Sequence, residues 1–256
     1  MRIEKRDKQI KVSRLLDFST FWKMNSKTKH NILKIGHRGA KAYVAENTIA
    51  SIKKALNFNI DGVEVDVHVC ASGELVVFHD FTLERMTNGT GEISKVSLTE
   101  LKQLKIDNQY AIPTLTEVLD EIGNNYIINI ELKGKNTAIP TCKLIDDYIH
   151  NKNWSYRNFL VSSFQFQELE QVFVTNKNIP LAVLTKANVD EAIVFAKTVT
   201  AIAIHPNIAL LTSENVRQAH YQGFKVNTWT VNDKAAINRV KRYGVDGIIS
   251  DYPDRL

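Results

Sequence analysis

The sequence predicts an α/β fold in which eight parallel strands close into a (β/α)8 TIM barrel. After residue 31, short apolar runs alternate with segments of helical period, giving eight strands and seven intervening helices. Strand alternating with helix implies parallel pairing through right-handed crossovers. A chain of 256 residues with 44% hydrophobic residues is also long and apolar enough to bury one such barrel.

Each element follows from its local pattern of apolar and capping residues. The predicted strands are 32–36, 62–69, 126–132, 159–163, 181–184, 201–204, 225–230 and 246–250. The predicted helices are about 47–58, 114–123, 137–151, 166–176, 188–197, 212–222 and 232–243. The residues expected to cap three of them are Asn47, Thr114 with Glu117, and Asn232 or Asp233.

Two features interrupt this alternation. The run 75–79 (LVVFH) has no helix before it, so it is predicted to fold back on the second strand as a hairpin. A two-residue turn at Ser72-Gly73 would place Asp66 opposite His79. At the other end, the chain stops at Leu256 and leaves little room for an eighth helix.

The basic charge is concentrated at the N-terminus. Residues 1–34 carry ten Lys or Arg and three Asp or Glu, a net +7, so the remaining 222 residues carry −2. We therefore divide the chain into a basic arm, 1–31, and a barrel domain, 32–256. The arm's apolar residues favour a helix docked on the body, and the alternative is weak contact with a membrane surface. These apolar residues are Ile10, Val12, Leu15, Leu16, Phe18, Phe21 and Trp22.

The composition excludes several classes of protein. The sequence contains no run of 18 apolar residues, so no transmembrane segment is predicted. The N-terminus lacks the apolar core of a secretory signal. Cys70 and Cys142 form no disulfide framework or CxxC motif. Outside the arm, the sequence has no basic stripe with interleaved aromatic residues, so nucleic-acid binding is not expected. The expected location is therefore cytoplasmic.

The second strand carries an acidic face. Val63, Val65, Val67 and Val69 alternate with Glu64, Asp66 and His68. An exposed antiparallel strand shows this pattern without any function, whereas a strand inside a parallel barrel needs a cation to hold the carboxylates. Glu131 and Lys133 share one face of the next barrel strand. Three carboxylates converging in a barrel, with no Cys, favour a hard divalent ion, Mg²⁺ or Ca²⁺.

Other reactive groups stand at the predicted carboxyl ends of strands, where barrels place their sites. His37 and Arg38 follow the first strand, and His79 ends the hairpin. Arg38 and Lys133 beside a metal suit a phosphate group, and two histidines supply a proton acceptor and a proton donor for breaking a P–O bond. His205, also at a strand end, is a weaker candidate, and His68 is expected to be structural.

The order of the motifs resembles the glycerophosphodiester phosphodiesterase family, from about Ile35 to the C-terminus. The matching segments are GHRGAKAYVAENT, DGVEVDVHVCASGELVVFHD, TLERMTNGTG, IPTLTEVLDEI, NIELKG, VNTWTVN and DGIISDYPD. The resemblance implies a TIM-barrel hydrolase that cleaves glycerophosphodiesters to sn-glycerol 3-phosphate and an alcohol. It also implies that the glycerol 2-hydroxyl forms a cyclic phosphate, which water then opens. The sequence itself is equally compatible with direct attack by water.

By position, the resemblance implies roles for ten residues. His37 and His79 match the general acid/base pair, and Glu64, Asp66 and Glu131 match the metal ligands. The substrate and phosphate contacts are Arg38, Lys133, Glu46, Asn47 and Trp229, with Trp229 lining the glycerol pocket. Ala45 replaces the family's proline before Glu46, and the hairpin tip is Cys-Ala-Ser-Gly at 70–73 in place of the usual Lys-Thr-Asp-Gly. The insertion that some members carry after the second strand is short here, roughly residues 80–112.

Two rival functions remain at this stage. A lysophospholipase D acting on membrane lysolipids would use the basic, apolar arm to reach its substrate. A non-catalytic barrel would only bind phosphodiesters, but such a protein has no use for two proton carriers beside a metal. The sequence therefore favours the hydrolase that acts on a small glycerophosphodiester.

Overall fold

The predicted TIM barrel is confirmed. The computed structural model describes residues 32–256, so the predictions for the arm lie outside the described residues. The strands are β1 Leu33–His37, β2 Gly62–Val69, β3 Leu75–Val77, β4 Ile127–Leu132, β5 Phe159–Ser163, β6 Leu181–Thr185, β7 Ala203–Pro206, β8 Lys225–Thr228 and β9 Gly247–Ser250. The helices are α1 Ile49–Leu56, α2 Leu98–Leu101, α3 Leu115–Ile122, α4 Ala138–Asn151, α5 Phe166–Thr175, α6 Val189–Thr198, α7 Ser213–Tyr221 and α8 Lys234–Tyr243.

Eight of the strands form the closed parallel barrel, and β3 is an antiparallel appendage on β2. The order is β1-β9-β8-β7-β6-β5-β4-β2-β3, and pairing of β1 with β2 closes the ring. The closure sets His37 beside Glu64 in register. On the other side of β2, Asp66 lies beside Glu131 of β4. Parallel registry thus brings these four side chains to one end of the barrel.

The apolar face of β2 points outward into the main core. Val63, Val65 and Val67 are fully buried in a cluster with residues of the surrounding helices. Because side chains alternate along a strand, Glu64 and Asp66 then point into the barrel. The acidic face is therefore an interior surface and not a solvated one.

The hairpin forms, but its predicted register is wrong by one residue. Val67 pairs with Val77 and Val69 with Leu75, so the partner of Asp66 is Phe78, whose amide donates to the Asp66 carbonyl over 3.0 Å. The turn holds three residues because Cys70 pairs with Glu74, and Gly73 takes the left-handed conformation that such loops need (φ 100°). His79 consequently lies beyond the end of β3.

The helix caps are mostly as predicted. Thr114 with Glu117 forms a capping box, and Asp233 caps α8. Asn47 does not cap α1, because the neighbouring Thr48 accepts from the Ser51 amide instead. Asn47 has a positive φ of 58° and directs its side chain into the barrel.

Residues 78–114 form a small second core beside the barrel mouth. Phe78, Leu83, Ile93, Leu101 and Ile106 are buried together in it. After β9, the described chain continues with a single turn of 3-10 helix, Pro253–Arg255. In the described part of the chain, no helix combines the length and apolarity needed to span a bilayer.

Candidate active site

A cavity of about 460 Å³ opens at the carboxyl ends of the barrel strands. It is lined by residues of the barrel strands, by residues that directly follow those strands, and by His79, which follows β3. Those lining it are His37, Arg38, Glu64, His79, Asn129, Glu131, Lys133, Phe164, Leu184, Lys186, Asn207, Trp229 and Ile249. Seven of the ten predicted site residues are in this wall.

The wall contains a buried cluster of three carboxylates. Glu64, Asp66 and Glu131 each offer an oxygen within 4.8 Å of those of the other two, and all three residues are buried. Oε1 of Glu64 and Oδ1 of Asp66 have no hydrogen-bond partner among the described residues. Buried carboxylate oxygens without partners are costly unless a cation binds them. The cluster can therefore hold a hard divalent ion.

The pKa values of these acids also favour a bound cation, because the acids repel one another when they are ionised. Burial, followed by the charges of Asp66 and Glu131, raises the pKa of Glu64 well above its usual range. Burial and Asp66 raise the pKa of Glu131 to about 7. Burial also acts to raise the pKa of Asp66, but Arg38 and Lys133 outweigh it and the pKa is lowered. Two of the three acids therefore resist ionising together.

Arg38 is held at the centre of the site by the turn that ends β1. Arg38 and Gly39 have positive φ values of 51° and 85°, and the Arg38 amide donates to Oε2 of Glu64 over 3.0 Å. The Arg38 guanidinium donates to Glu46 over 2.7 Å, and its Nε lies 3.2 Å from Asp66. A non-glycine residue in this backbone region is strained, and such strain is common at functional sites.

Glu46 and Asn47 lie behind this layer. Glu46 accepts from Arg38 and Arg85 and lies 3.3 Å from Lys41. Burial acts to raise the Glu46 pKa, but Arg38, Arg85 and Lys41 lower it to about 2. Asn47 donates to Oδ2 of Asp66 over 2.9 Å. Both residues are buried and position Arg38 and Asp66.

Lys133 and Trp229 also line the cavity. The Lys133 ammonium donates to Glu131 over 2.8 Å and lies 3.7 Å from Asp66. The Trp229 indole donates to the carbonyl of His205 over 2.8 Å, and its ring meets Phe164 edge-on at 5.5 Å. His205 itself is fully buried, and burial lowers its pKa to about 3, so it is a neutral residue of the barrel interior.

Each of the two wall histidines is bonded through Nδ1 to a carboxylate. Nδ1 of His37 lies 2.5 Å from Asp251, and Nδ1 of His79 lies 2.6 Å from Asp80. Hydrogen bonding to Arg85 and to His79 lowers the Asp80 pKa to about 2, against the opposing effect of burial. An ionised carboxylate only accepts, so each imidazole keeps its proton on Nδ1 and leaves Nε2 for other chemistry.

The amino-acid sequence that forms this site matches a known family. The model of the Glycerophosphoryl diester phosphodiesterase family matches residues 37–255, from the first of these histidines almost to the C-terminus. The chain belongs to this family. The resemblance and the enzyme class expected from the sequence, phosphoric diester hydrolase, are confirmed.

Individual relatives are similar to this chain over nearly their full length. The chain is 35% identical over 237 residues to a glycerophosphodiester phosphodiesterase of Caldanaerobacter subterraneus, covering 88% of this chain and 96% of the relative. It is 34% identical to one of Bacillus altitudinis, covering 86% and 94%. Among solved structures, an Oleispira antarctica phosphodiesterase in complex with the product sn-glycerol-3-phosphate superposes with a TM-score of 0.79 at 29% identity, covering 86% and 93%.

Several members of the site were missed by the sequence reasoning. Asp251 and Asp80, which hold the histidines, and Phe164, Lys186 and Asn207 on the wall were given no role. Asp251, Phe164, Lys186 and Asn207 each follow the end of a barrel strand, so a systematic reading of all eight strand ends would have found them. Asp80 adjoins His79 and could have been found as its neighbour.

Proposed function

We propose that this protein hydrolyses glycerophosphodiesters to sn-glycerol 3-phosphate and an alcohol, with Glu64, Asp66 and Glu131 holding a divalent cation, Mg²⁺ or Ca²⁺. The observation that carries the proposal is the pair of carboxylate-bound histidines on the wall that also carries Glu64 and Glu131 of the acidic cluster. A site that only bound phosphodiesters would have no need of two positioned proton carriers.

Arg38 and Lys133 bind the phosphate in this proposal. Both are charged, since the surrounding acids raise the pKa of Arg38 and of Lys133 against the opposing effect of burial. They lie on either side of Asp66, at 3.2 and 3.7 Å. Their donors can therefore contact different oxygens of one phosphate. When bound, the divalent cation supplies Lewis-acid polarisation of the phosphate oxygens.

His37 and His79 move the protons. The attacking hydroxyl, either from water or from the glycerol, gives its proton to Nε2 of one imidazole as its oxygen bonds to phosphorus. The other imidazole gives a proton to the alkoxide as the bond between phosphorus and the alcohol oxygen breaks. Attack by water gives glycerol 3-phosphate directly, whereas attack by the glycerol hydroxyl gives a cyclic phosphate, which water then opens with the two imidazoles in exchanged roles. Asp251 and Asp80 hold the rings in place and stabilise the imidazolium forms. Nε2 of His37 lies 3.9 Å from Oε2 of Glu64, one of the three residues that would hold the cation.

Trp229 and Phe164 form the apolar part of the wall. Their edge-to-face packing presents carbon surface next to Lys133, whose ammonium lies 5.6 Å from the centre of the Phe164 ring. We assign the carbon face of the glycerol to Trp229, because a polyol with one apolar face is bound by an aromatic ring and hydrogen-bonding groups together.

Release of glycerol 3-phosphate tests the proposal. Purified protein is incubated with glycerophosphocholine and glycerophosphoethanolamine, first with EDTA and then with Mg²⁺ or Ca²⁺ restored. Release that stops with EDTA and returns with one ion is expected. A parallel reaction with lysophosphatidylcholine detects the lysophospholipase D alternative. Release of choline from the lysolipid alone would contradict the proposed substrate class, and no release by folded protein with either ion would contradict the function.

A further inference from the structure

One positively charged side chain on the cavity wall, that of Lys186, has no ion-pair partner among residues 32–256. Arg38 and Lys133 each lie within 4 Å of two of the buried or partly buried carboxylates described above. Lys186 lines the same cavity and is exposed, and within residues 32–256 no carboxylate lies within ion-pair distance of its ammonium. It directly follows β6, at the same end of the barrel as the other wall residues.

Lys186 and Lys133, one of the proposed phosphate contacts, lie against the same aromatic ring. Nζ of Lys186 lies 5.7 Å from the centre of the Phe164 ring, and Nζ of Lys133 lies 5.6 Å from the same point. Lys133 is half-buried and bonded to Glu131, whereas Lys186 is exposed. The Phe164 ring therefore has one ammonium bonded within the acidic cluster and a second ammonium open to solvent.

We propose that Lys186 forms a subsite for a second anionic group of the substrate, a carboxylate or phosphate set several bonds away from the scissile phosphate. This inference rests on the proposed function. A phosphate held by Arg38 and Lys133 leaves the remainder of the substrate against Phe164, and Lys186 is the exposed ammonium beside that ring. A substrate with a second anion gains an ion pair there, whereas a substrate with a cationic head group meets like charge.

The size of the effect follows from the exposure of Lys186. Ion pairs at exposed positions contribute up to about 1 kcal/mol, which corresponds to about fivefold in kcat/KM. Removing the ammonium should therefore change the preference between substrates and leave the chemistry intact. Reversing the charge should change the preference further, by about tenfold or more, because attraction is replaced by repulsion.

The test compares substrates that differ by one anionic group. Glycerophosphoserine carries one carboxylate more than glycerophosphoethanolamine, on the alcohol side. Glycerophosphoethanolamine phosphorylated on the free primary hydroxyl carries its extra anion on the glycerol side. We measure kcat/KM for all three with wild-type protein, Lys186→Ala, Lys186→Glu and Lys186→Arg, each with the restored cation. The anionic substrate that loses its advantage in Lys186→Ala and Lys186→Glu, and keeps it in Lys186→Arg, identifies the end that contacts Lys186.

Lys177→Glu is the matched control. Its ammonium also lies over a phenylalanine ring, 5.2 Å from the centre of Phe173, but it does not line the cavity. It should leave the ratios at their wild-type values. Equal ratios in wild type and Lys186→Glu, or equal losses for all three substrates, would overturn the subsite while release from glycerophosphoethanolamine still supports the function. No release from any substrate by wild-type protein would overturn both.

Discussion

Asp251 and His37 are joined by a 2.5 Å contact between residues 214 positions apart in the sequence. The pair connects the end of β9 to the end of β1, which are neighbours in the barrel. Asn232 holds Asp251 from its other side: its amide donates to Oδ2 over 2.8 Å and its oxygen accepts from the Asp251 amide over 2.9 Å. The imidazole of His37 is thus positioned by two residues that do not line the cavity.

We expect Asp251→Asn to lower kcat about 10- to 100-fold with little change in KM. The amide can no longer hold the Nδ1 proton of His37 in place or stabilise the imidazolium, while Arg38 and Lys133 still bind the phosphate. Steady-state kinetics on glycerophosphoethanolamine measures both constants. Asp254→Asn, three residues away and bonded to the hydroxyl of Tyr43, is the control and should resemble wild type. Equal effects of the two substitutions would contradict a positioning role.

The contribution of Glu131 to the stability of the metal-free protein should fall as the pH rises from about 4.5 to about 7. The pKa of Glu131 is raised from 4.5 to about 7 in the folded state, so this carboxyl binds more protons in the folded state than in the unfolded state in that range. Its effect on the free energy of unfolding therefore becomes less favourable with rising pH, whereas a buried neutral histidine such as His205, with a pKa lowered to about 3, acts in the opposite direction below pH 6.5. Thermal denaturation of wild type and Glu131→Gln in EDTA at pH 5, 6, 7 and 8 isolates the contribution, and a difference in midpoint between the two proteins that does not change with pH would show that Glu131 ionises without strain.

A bound cation should offset the destabilisation caused by the ionised acids. At a cation concentration 100 times Kd, stability increases by about 2.7 kcal/mol, which raises Tm by about 5–10 °C for a protein of this size. The increase should be larger at pH 8 than at pH 5, because the ligands must lose their protons to bind a metal. Thermal shifts with Mg²⁺ and Ca²⁺ identify the preferred ion. A shift independent of pH would point to binding outside the three acids.

Glu131→Gln should remove the cation response and stabilise the metal-free protein at pH 8. The amide has a similar shape and carries no charge, so the repulsion with Asp66 is lost together with one metal ligand. The expected midpoint in EDTA lies above that of wild type, and added Mg²⁺ or Ca²⁺ changes it little. Glu117→Gln, in a capping box of α3, is a control that should retain the cation response. A Glu131→Gln protein that still shows the full shift would remove this residue from the ligand set.

The stability of the protein should depend on Gly39, in the turn after His37, for two reasons. Its φ of 85° disfavours any side chain, and a Cβ would lie 2.6 Å from the backbone of Ser51 in α1. Gly91 has a similar φ of 95° with nothing within 4 Å of a Cβ, so Gly91→Ala isolates the backbone cost of about 1–2 kcal/mol. Gly39→Ala should cost about 1–3 kcal/mol more, from the overlap, in urea denaturation. Similar losses in the two variants would show that the turn can relax.

The barrel and its acidic wall were predictable because they follow local patterns. The alternation of Val63, Val65 and Val67 with Glu64 and Asp66 identifies the strand, and the number of strands identifies the barrel. Once the barrel closes, registry alone brings Asp66 beside Glu131. The HRG turn and the histidine after the hairpin then fall at the same end.

The parts that were not predicted depend on long-range packing or on a single residue of a turn. The contact between Asp251 and His37 exists only because the last strand closes on the first. The hairpin register depended on whether Cys70 pairs with Glu74, which the turn sequence leaves open. Asn47 was expected to cap α1, but Thr48 can do so equally well, and Asn47 is bonded to Asp66 instead.

The most direct test of the account is the rate of glycerol 3-phosphate release by His37→Ala and His79→Ala, loaded with the cation that restores wild-type activity. Each variant should lose about 10²- to 10⁴-fold in kcat while keeping the thermal shift with the cation. His150→Ala, an exposed histidine on α4, controls for loss of an imidazole elsewhere and should match wild type. Wild-type rates in folded His79→Ala or His37→Ala would contradict the central claim that these two histidines carry the protons of the reaction.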